Sequence, residues 1–392
     1  MLSRLSNYFI TLAIVFAGVF CVTFTTVTQT IPLILIALSA ILTVISAIKG
    51  KATIHLTGYL YVAFLGLSYF GLRAYFSPVA SFGMQDLFLI LGMSLCFIIS
   101  SFSKDKNSLI RHILVGLMVL VALNTLMFIP SVNEYRDDLL PFAAGDSNTG
   151  LFHHRNFFSQ FMAMCSCVFI AYGLFSKSNK CFSIITVSMG LLSAGAVMMA
   201  LARGSILGLM FGLTLIGTVF IICKMHTFSV KIKAVSTVVM LLVALFSLYG
   251  LLEVVELRGN KGNDISNNVR SVYFSMAIDQ IPDAPFLGSG SRSIEYKSNE
   301  YWSPKLVSGL DFKFTHNEYL QAIADYGIVG FLSMISLIIY SVIRIVLNIT
   351  KSVATGSMIH FELMALSAIG VILISSYFSF PLHSFVNVVL LG

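Results

Sequence analysis

From Gly204 to Cys223 the chain runs for twenty residues, GSILGLMFGLTLIGTVFIIC, without a single charge. A helix of that length rises about 30 Å, the thickness of the hydrocarbon core of a bilayer. Comparable apolar runs recur near 8–27, 31–48, 54–72, 86–103, 109–130, 156–176, 181–202, 234–254, 319–343 and 359–378. A last one, from Pro381 to Gly392, is too short to cross alone and reads as a partial helix or the start of a longer one. In lipid every backbone polar group must be satisfied within the segment, so runs of this length specify helices. The expected fold is all-α: a polytopic integral membrane protein of about 12 transmembrane helices, forming a single membrane domain over 1–392.

Orientation follows from lysine and arginine. With a cytoplasmic N-terminus, the inner loops collect Arg4, Lys49, Lys51, Lys104, Lys106, Arg111, Lys177, Lys180, Lys224, Lys231, Lys233, Arg344 and Lys351, whereas the short outer loops hold Arg73, Arg136, Arg155 and Arg203. Short loops rich in basic residues stay inside, so the asymmetry fixes the topology. It also accounts for much of the formal net charge of +7, which without a basic helix or aromatic-basic interleaving does not point to nucleic acid. Two outer segments remain, a smaller loop at 131–155 and a large one at 255–318. The six cysteines lie in or at the ends of apolar runs, without the spacing of a disulfide framework or a metal site.

The polar residues gather at the outer face. Arg203, in MMALARGSILGL, stands at the junction of two apolar runs with no acid near it in sequence; it is either a snorkelling arginine or an anion receptor. In the large loop, NNVRSVYFSMAIDQI puts Val269, Val272, Tyr273 and Met276 on one helical face with Arg270 off it, the pattern of an amphipathic helix lying on the membrane surface. The turn-rich PDAPFLGSGSRS follows, and Trp302 suits an interface. His153, His154, Arg155 and Asn156 precede a span; adjacent histidines diverge by about 100° on a helix, so they suit the polar lining of a cavity better than a metal. In THNEYLQAIADYGIVG, His316 and Asn317 stand just before a helix whose free N–H groups favour anions, while Gly327 and Gly330 would admit a second helix closely.

Four of these segments, in this order, resemble the bacterial O-antigen ligase and O-antigen polymerase family: GLFHHRNFF with Arg155 where lysine is usual, LARGSILGL with Ala202 where serine is usual, NVRSVYFSMAIDQIPDAPFLGSG, and His316-Asn317 followed at nine residues by Gly327 and Gly330. The resemblance runs from about Gly150 into the last spans; the first 145 residues match only as a series of spans. It implies a membrane glycosyltransferase of the bacterial inner membrane, with its active site on the periplasmic face. The donor would be a glycan on undecaprenyl diphosphate, the acceptor a hydroxyl of the lipid A core or the next lipid-linked repeat unit, and no cofactor or metal is needed. Carried over, the catalytic set is Arg203, Arg270 and His316; Arg155, Asn156 and Asn317 are expected to contact substrate, and His383 is a weaker auxiliary candidate. Chain length and the single large loop favour the ligase reading, the His-Arg-Asn segment the polymerase one. A transporter of lipid-linked sugars is the third reading, disfavoured because Glu253, Asp325 and Glu362 lie near span ends rather than at the bilayer midplane.

Overall fold

The computed structural model describes residues 2–20, 26–50, 58–129, 132, 149–152, 154–224, 265–301, 313–355 and 359–392. All the regular structure among them is helical: α1 (Leu2–Phe20), α2 (Thr26–Lys49), α3 (Gly58–Tyr75), α4 (Ala80–Phe102), α5 (Lys106–Leu126), α6 (Arg155–Phe175), α7 (Lys180–Ala200), α8 (Arg203–Lys224), α9 (Ile265–Gln280), α10 (Ser293–Tyr301), α11 (Glu318–Thr355), α12 (His360–Phe378) and α13 (Phe385–Leu391), with two short 3-10 turns. Nine of the described helices are long and apolar enough to cross a membrane: α1, α2, α4 to α8, α11 and α12. The chain is thus an all-α polytopic membrane protein. α3, expected as a span, is 18 residues long but falls outside those nine; Tyr59, Tyr61, Tyr69, Tyr75 and Arg73 make it the more polar helix. The expected span at 234–254, Trp302 and His153 lie outside the described residues. The segment after Pro381 is a 3-10 turn and a seven-residue helix, buried along Phe385, Val386, Asn387, Val388 and Val389 against α4 and α1.

α6 is the axis of the bundle. Phe158, Phe161, Met162, Cys165 and Phe169 are wholly buried along it, and it touches α5, α7, α8 and α12. In a bilayer such contacts gain little from hydrophobic transfer, because lipid tails are as apolar as leucine; close van der Waals approach stabilises them instead. Gly208 shows how: a Cβ there would stand 2.9 Å from the Val371 carbonyl, so α8 lies directly on the α12 backbone.

The described part of the large loop, 265–301 and 313–317, is a folded shelf. On α9, Val272, Tyr273, Met276 and Ala277 are buried, as the periodicity requires, but they pack on Ile294 with Leu320 and Tyr301 beside them. The expectation that this face rests on the membrane surface is corrected: α10 and the head of α11 offer it a protein surface. The PDAPFLGSG turn then docks on α11. Ser289 and Gly290 N–H donate to the Ala324 and Asp325 carbonyls, and Ile328 and Val329 N–H donate to the Pro285 and Phe286 carbonyls.

That docking needs α11 to break. Gly327 takes φ +67° and ψ −174°, dividing α11 into two helices. A Cβ on Gly327 would overlap the Phe286 carbonyl, and one on Gly288 (φ +74°) the Asp325 carbonyl. The glycine pair therefore serves less as a helix-helix contact than expected: Gly330 does face Tyr69 and Phe70 of α3, but Gly327 faces the loop. Arg73 reaches across from α3 to donate to the Leu287 and Gly288 carbonyls, both at 2.9 Å.

Candidate functional site

Two transmembrane helices begin at one point. α6 starts at Arg155, and α8 starts at Arg203 immediately after a tight turn in which Leu201 adopts φ 51°. Each start carries partial positive charge from backbone N–H groups left over by the helix pattern. The α6 start is capped by His154, whose Nδ1 accepts from Asn156 N–H at 3.1 Å, so that a neutral ring carries its proton on Nε2. Before α8 stands Ala202, which has no side-chain oxygen to cap anything.

Between these starts lies a cavity of about 200 Å³, walled by His154, Arg155 and Asn156 of the α6 start, Ala202 to Ser205 of the α8 start, Gln160, Arg270 and Tyr273 of α9, His316, and Phe378 and Ser379 at the end of α12. Three arginines from separate segments thus face one space, with two helix N-termini adding to the same field. Their combined field favours an anion over a cation. Arg155, Asn156, Arg203, Arg270 and His316 are brought together as the sequence suggests. Asn317 is not: it is buried, and its Oδ1 accepts from Tyr319 and Leu320 N–H at 3.0 and 3.1 Å, capping α11. The same side-chain chemistry that binds a ligand also caps a helix, and here the cap takes it.

His316 is gripped on several sides. Its ring stacks on Tyr273 at 5.3 Å and meets the Phe380 ring edge-on at 5.0 Å. Its backbone sits at φ 55°, in the left-handed region that non-glycine residues rarely occupy. On either side of it, Asn317 N–H donates to Thr315 Oγ1 and Thr315 N–H to Gln321 Oε1. Burial, and then the charges of Arg270 and His154, push its imidazole down to about 4, so the ring is neutral near pH 7. Its Nδ1 is buried and has no hydrogen-bond partner.

Behind His316 lies a second, more apolar cavity of about 260 Å³ between α3, α4, α11, α12 and α13. Its polar end is acidic, holding Asp86 and Glu318, and it shares no lining residue with the cationic cavity. His383 belongs here. Its Nδ1 stands 3.2 Å from Glu318 Oε1, and although burial opposes its charge, Glu318 holds its imidazole above the ordinary value. An acidic end repels a diphosphate, so the cationic cavity is the better anion site despite its smaller volume.

Sequence reasoning passed over three groups that matter. Gln160 and Ser379 line the cationic cavity, yet as neutral residues in or beside an apolar run they give no signal. Asp325, noted only for its position, is fully buried and accepts from Arg292 N–H, Ser293 N–H, Ser293 Oγ and Gln321 Nε2. It ties the 289–293 turn to the helix that follows His316.

The protein is thus an all-helical, multi-spanning membrane protein with an arginine-lined cavity between the starts of α6 and α8. Residues 188–335 match the family model described as O-Antigen ligase. The matched region contains Arg203, Arg270 and His316; Arg155, Asn156, Gln160 and Ser379 fall outside it. No curated protein matches the chain.

Proposed function

We propose that the protein transfers a glycan from undecaprenyl diphosphate to a hydroxyl of the lipid A core, at the periplasmic face of the inner membrane. The observation that carries this reading is the meeting of Arg203, Arg270 and His316 in one cavity at two helix N-termini. In the reaction the bond from the anomeric carbon to the diphosphate oxygen breaks, its electron pair leaving with the diphosphate. The acceptor oxygen forms the new bond from the opposite side, inverting the centre, and its proton passes to His316. Arg203 and Arg270 face the leaving diphosphate, where fixed cations stabilise developing charge at no cost of reorganisation. Arg155 and Asn156, in the wall of the same cavity, hold further phosphate oxygens.

Burial is the larger cause of the depressed pKa of His316, and the charge of Arg270 adds a smaller part. A bound diphosphate offsets the charge of Arg270, so the donor itself raises the basicity of the imidazole that must take the proton. Joining of lipid-linked repeat units by the same chemistry is the second reading, favoured by the His154-Arg155-Asn156 segment in the wall of the cavity.

The test is transfer in membranes by single variants at matched expression. Arg203→Ala and Arg270→Ala are each expected to lower transfer by about 10²- to 10³-fold, the usual effect of deleting one charge-stabilising donor, and His316→Ala by at least about 10²-fold. Near-normal transfer in both His316→Ala and Arg203→Ala would discard the assignment. Lipopolysaccharide banding of a deletion strain separates the readings: loss of all capped core means ligase, whereas a single retained repeat unit means polymerase.

A further inference from the structure

The cationic cavity contains more than a diphosphate can use. Gln160 is 1% exposed and Ser379 2% exposed, both line the cavity, and neither Gln160 Oε1 nor Ser379 Oγ has a hydrogen-bond partner. Buried polar atoms left unsatisfied are costly and are normally paired by protein, water or ligand. The neighbouring hydroxyls do not serve them: Ser159 Oγ is committed to Asn156 O and to Ser205 Oγ, at 3.1 and 2.8 Å.

The chemistry of what is missing can be read from the atoms. A diphosphate diester near pH 7 is all acceptor, with no O–H to give, and its oxygens suit the arginines and helix N–H groups. A carbonyl oxygen such as Gln160 Oε1 needs a donor. A hydroxyl such as Ser379 Oγ can both give and take. A group rich in hydroxyls satisfies both, and it must lie beside the diphosphate because both residues share the cavity with Arg203 and Arg270.

We propose that Gln160 and Ser379 form a sugar subsite, hydrogen-bonding hydroxyls of the glycan residue attached directly to the diphosphate. This rests on the donor reading above and extends it, dividing the cavity into a cationic half for the leaving group and a neutral polar half for the sugar being transferred. Such a subsite would fix the ring in line for attack and would select which lipid-linked glycans are used.

Binding to the full-length protein in phosphatidylcholine nanodiscs tests it without turnover. The probes are farnesyl diphosphate and farnesyl diphosphate carrying glucose, galactose or N-acetylglucosamine. At least one sugar-bearing probe is expected to bind the wild type about tenfold or more tightly than the bare probe. Gln160→Met and Ser379→Ala are expected to erase that gain while leaving the bare probe within about twofold, which also shows that the variants are folded. If no sugar adds affinity, or if the variants weaken the bare probe as much as the sugar-bearing one, the subsite is overturned while the transferase reading stands. Failure of the bare probe to bind the wild type overturns the cationic site and the subsite together.

Discussion

His316 holds a backbone conformation that its own side chain makes unfavourable, at φ 55°. A left-handed residue other than glycine costs about 1–2 kcal/mol, and such strain persists where the surroundings over-determine it; here Tyr273, Phe380 and the Thr315-Gln321 bond do so. Set against the greater chain entropy of glycine, His316→Gly is expected to unfold about 0.5–1 kcal/mol harder than His316→Ala, with both inactive. Equal thermal midpoints in detergent would show that the conformation is unstrained. The same histidine carries a pH prediction. Its folded value, about 4, lies below the ordinary 6.5, so its stabilising effect is complete above about 6.5 and is lost as pH falls through 4. The acid limb of kcat/KM, which reports the free enzyme, is accordingly expected near 4, with the limb of kcat higher because bound donor restores basicity. Coincident limbs would contradict that account. His316 and Arg203 were legible in the sequence because charge and imidazole at the end of an apolar run are costly and stand out, whereas Arg270, on an amphipathic loop segment, was singled out only by the family resemblance. Gln160 and Ser379 were not, because a lone neutral polar residue has no periodicity to betray which way it faces.

At the level of elements, the long apolar runs within the described residues became helices, most ends moving by up to about seven residues and the far end of α11 reaching Thr355 instead of 343, since about twenty apolar residues leave the chain little choice in lipid. What the runs do not encode is which polar element meets which. The apolar face of α9 was visible, but its choice of Ile294 and Leu320 over lipid depends on chain folded back from α10 and α11. Gly327 read as a helix-packing residue because spacing cannot distinguish a glycine that admits a neighbour from one that breaks its own helix. Asp325 is the joint of this assembly, with four donors converging on one buried carboxylate. Asp325→Ala leaves those donors buried and unpaired, a loss of about 3 kcal/mol or more, so amide exchange at 289–293 is expected to rise about a hundredfold or more. Unchanged exchange there would remove Asp325 from that role. Gly327→Ala is expected to release the same turn, because its Cβ overlaps the Phe286 carbonyl.

For the whole molecule, the proposed orientation can be tested with residues at opposite ends of the bundle. Cys181 is exposed at the start of α7, and Phe286 is exposed on the turn docked at the head of α11. In a variant keeping Cys181 as its sole cysteine, an impermeant maleimide is expected to react only from the cytoplasmic side; with Phe286→Cys as the sole cysteine, only from the periplasmic side. The reverse pattern would invert the topology. Beyond Gly327, among the described residues, α11 packs on α3 and α12 along one side. On its other side Leu332, Ile339, Ile343 and Leu347 are exposed. That outward face is left to the lipid, and the opposite end of the helix follows the loop of His316. Membrane thickness becomes a control on the chemistry: thinner or thicker bilayers tilt α11 differently, and transfer rates in vesicles of graded acyl length are expected to peak at one thickness instead of staying level.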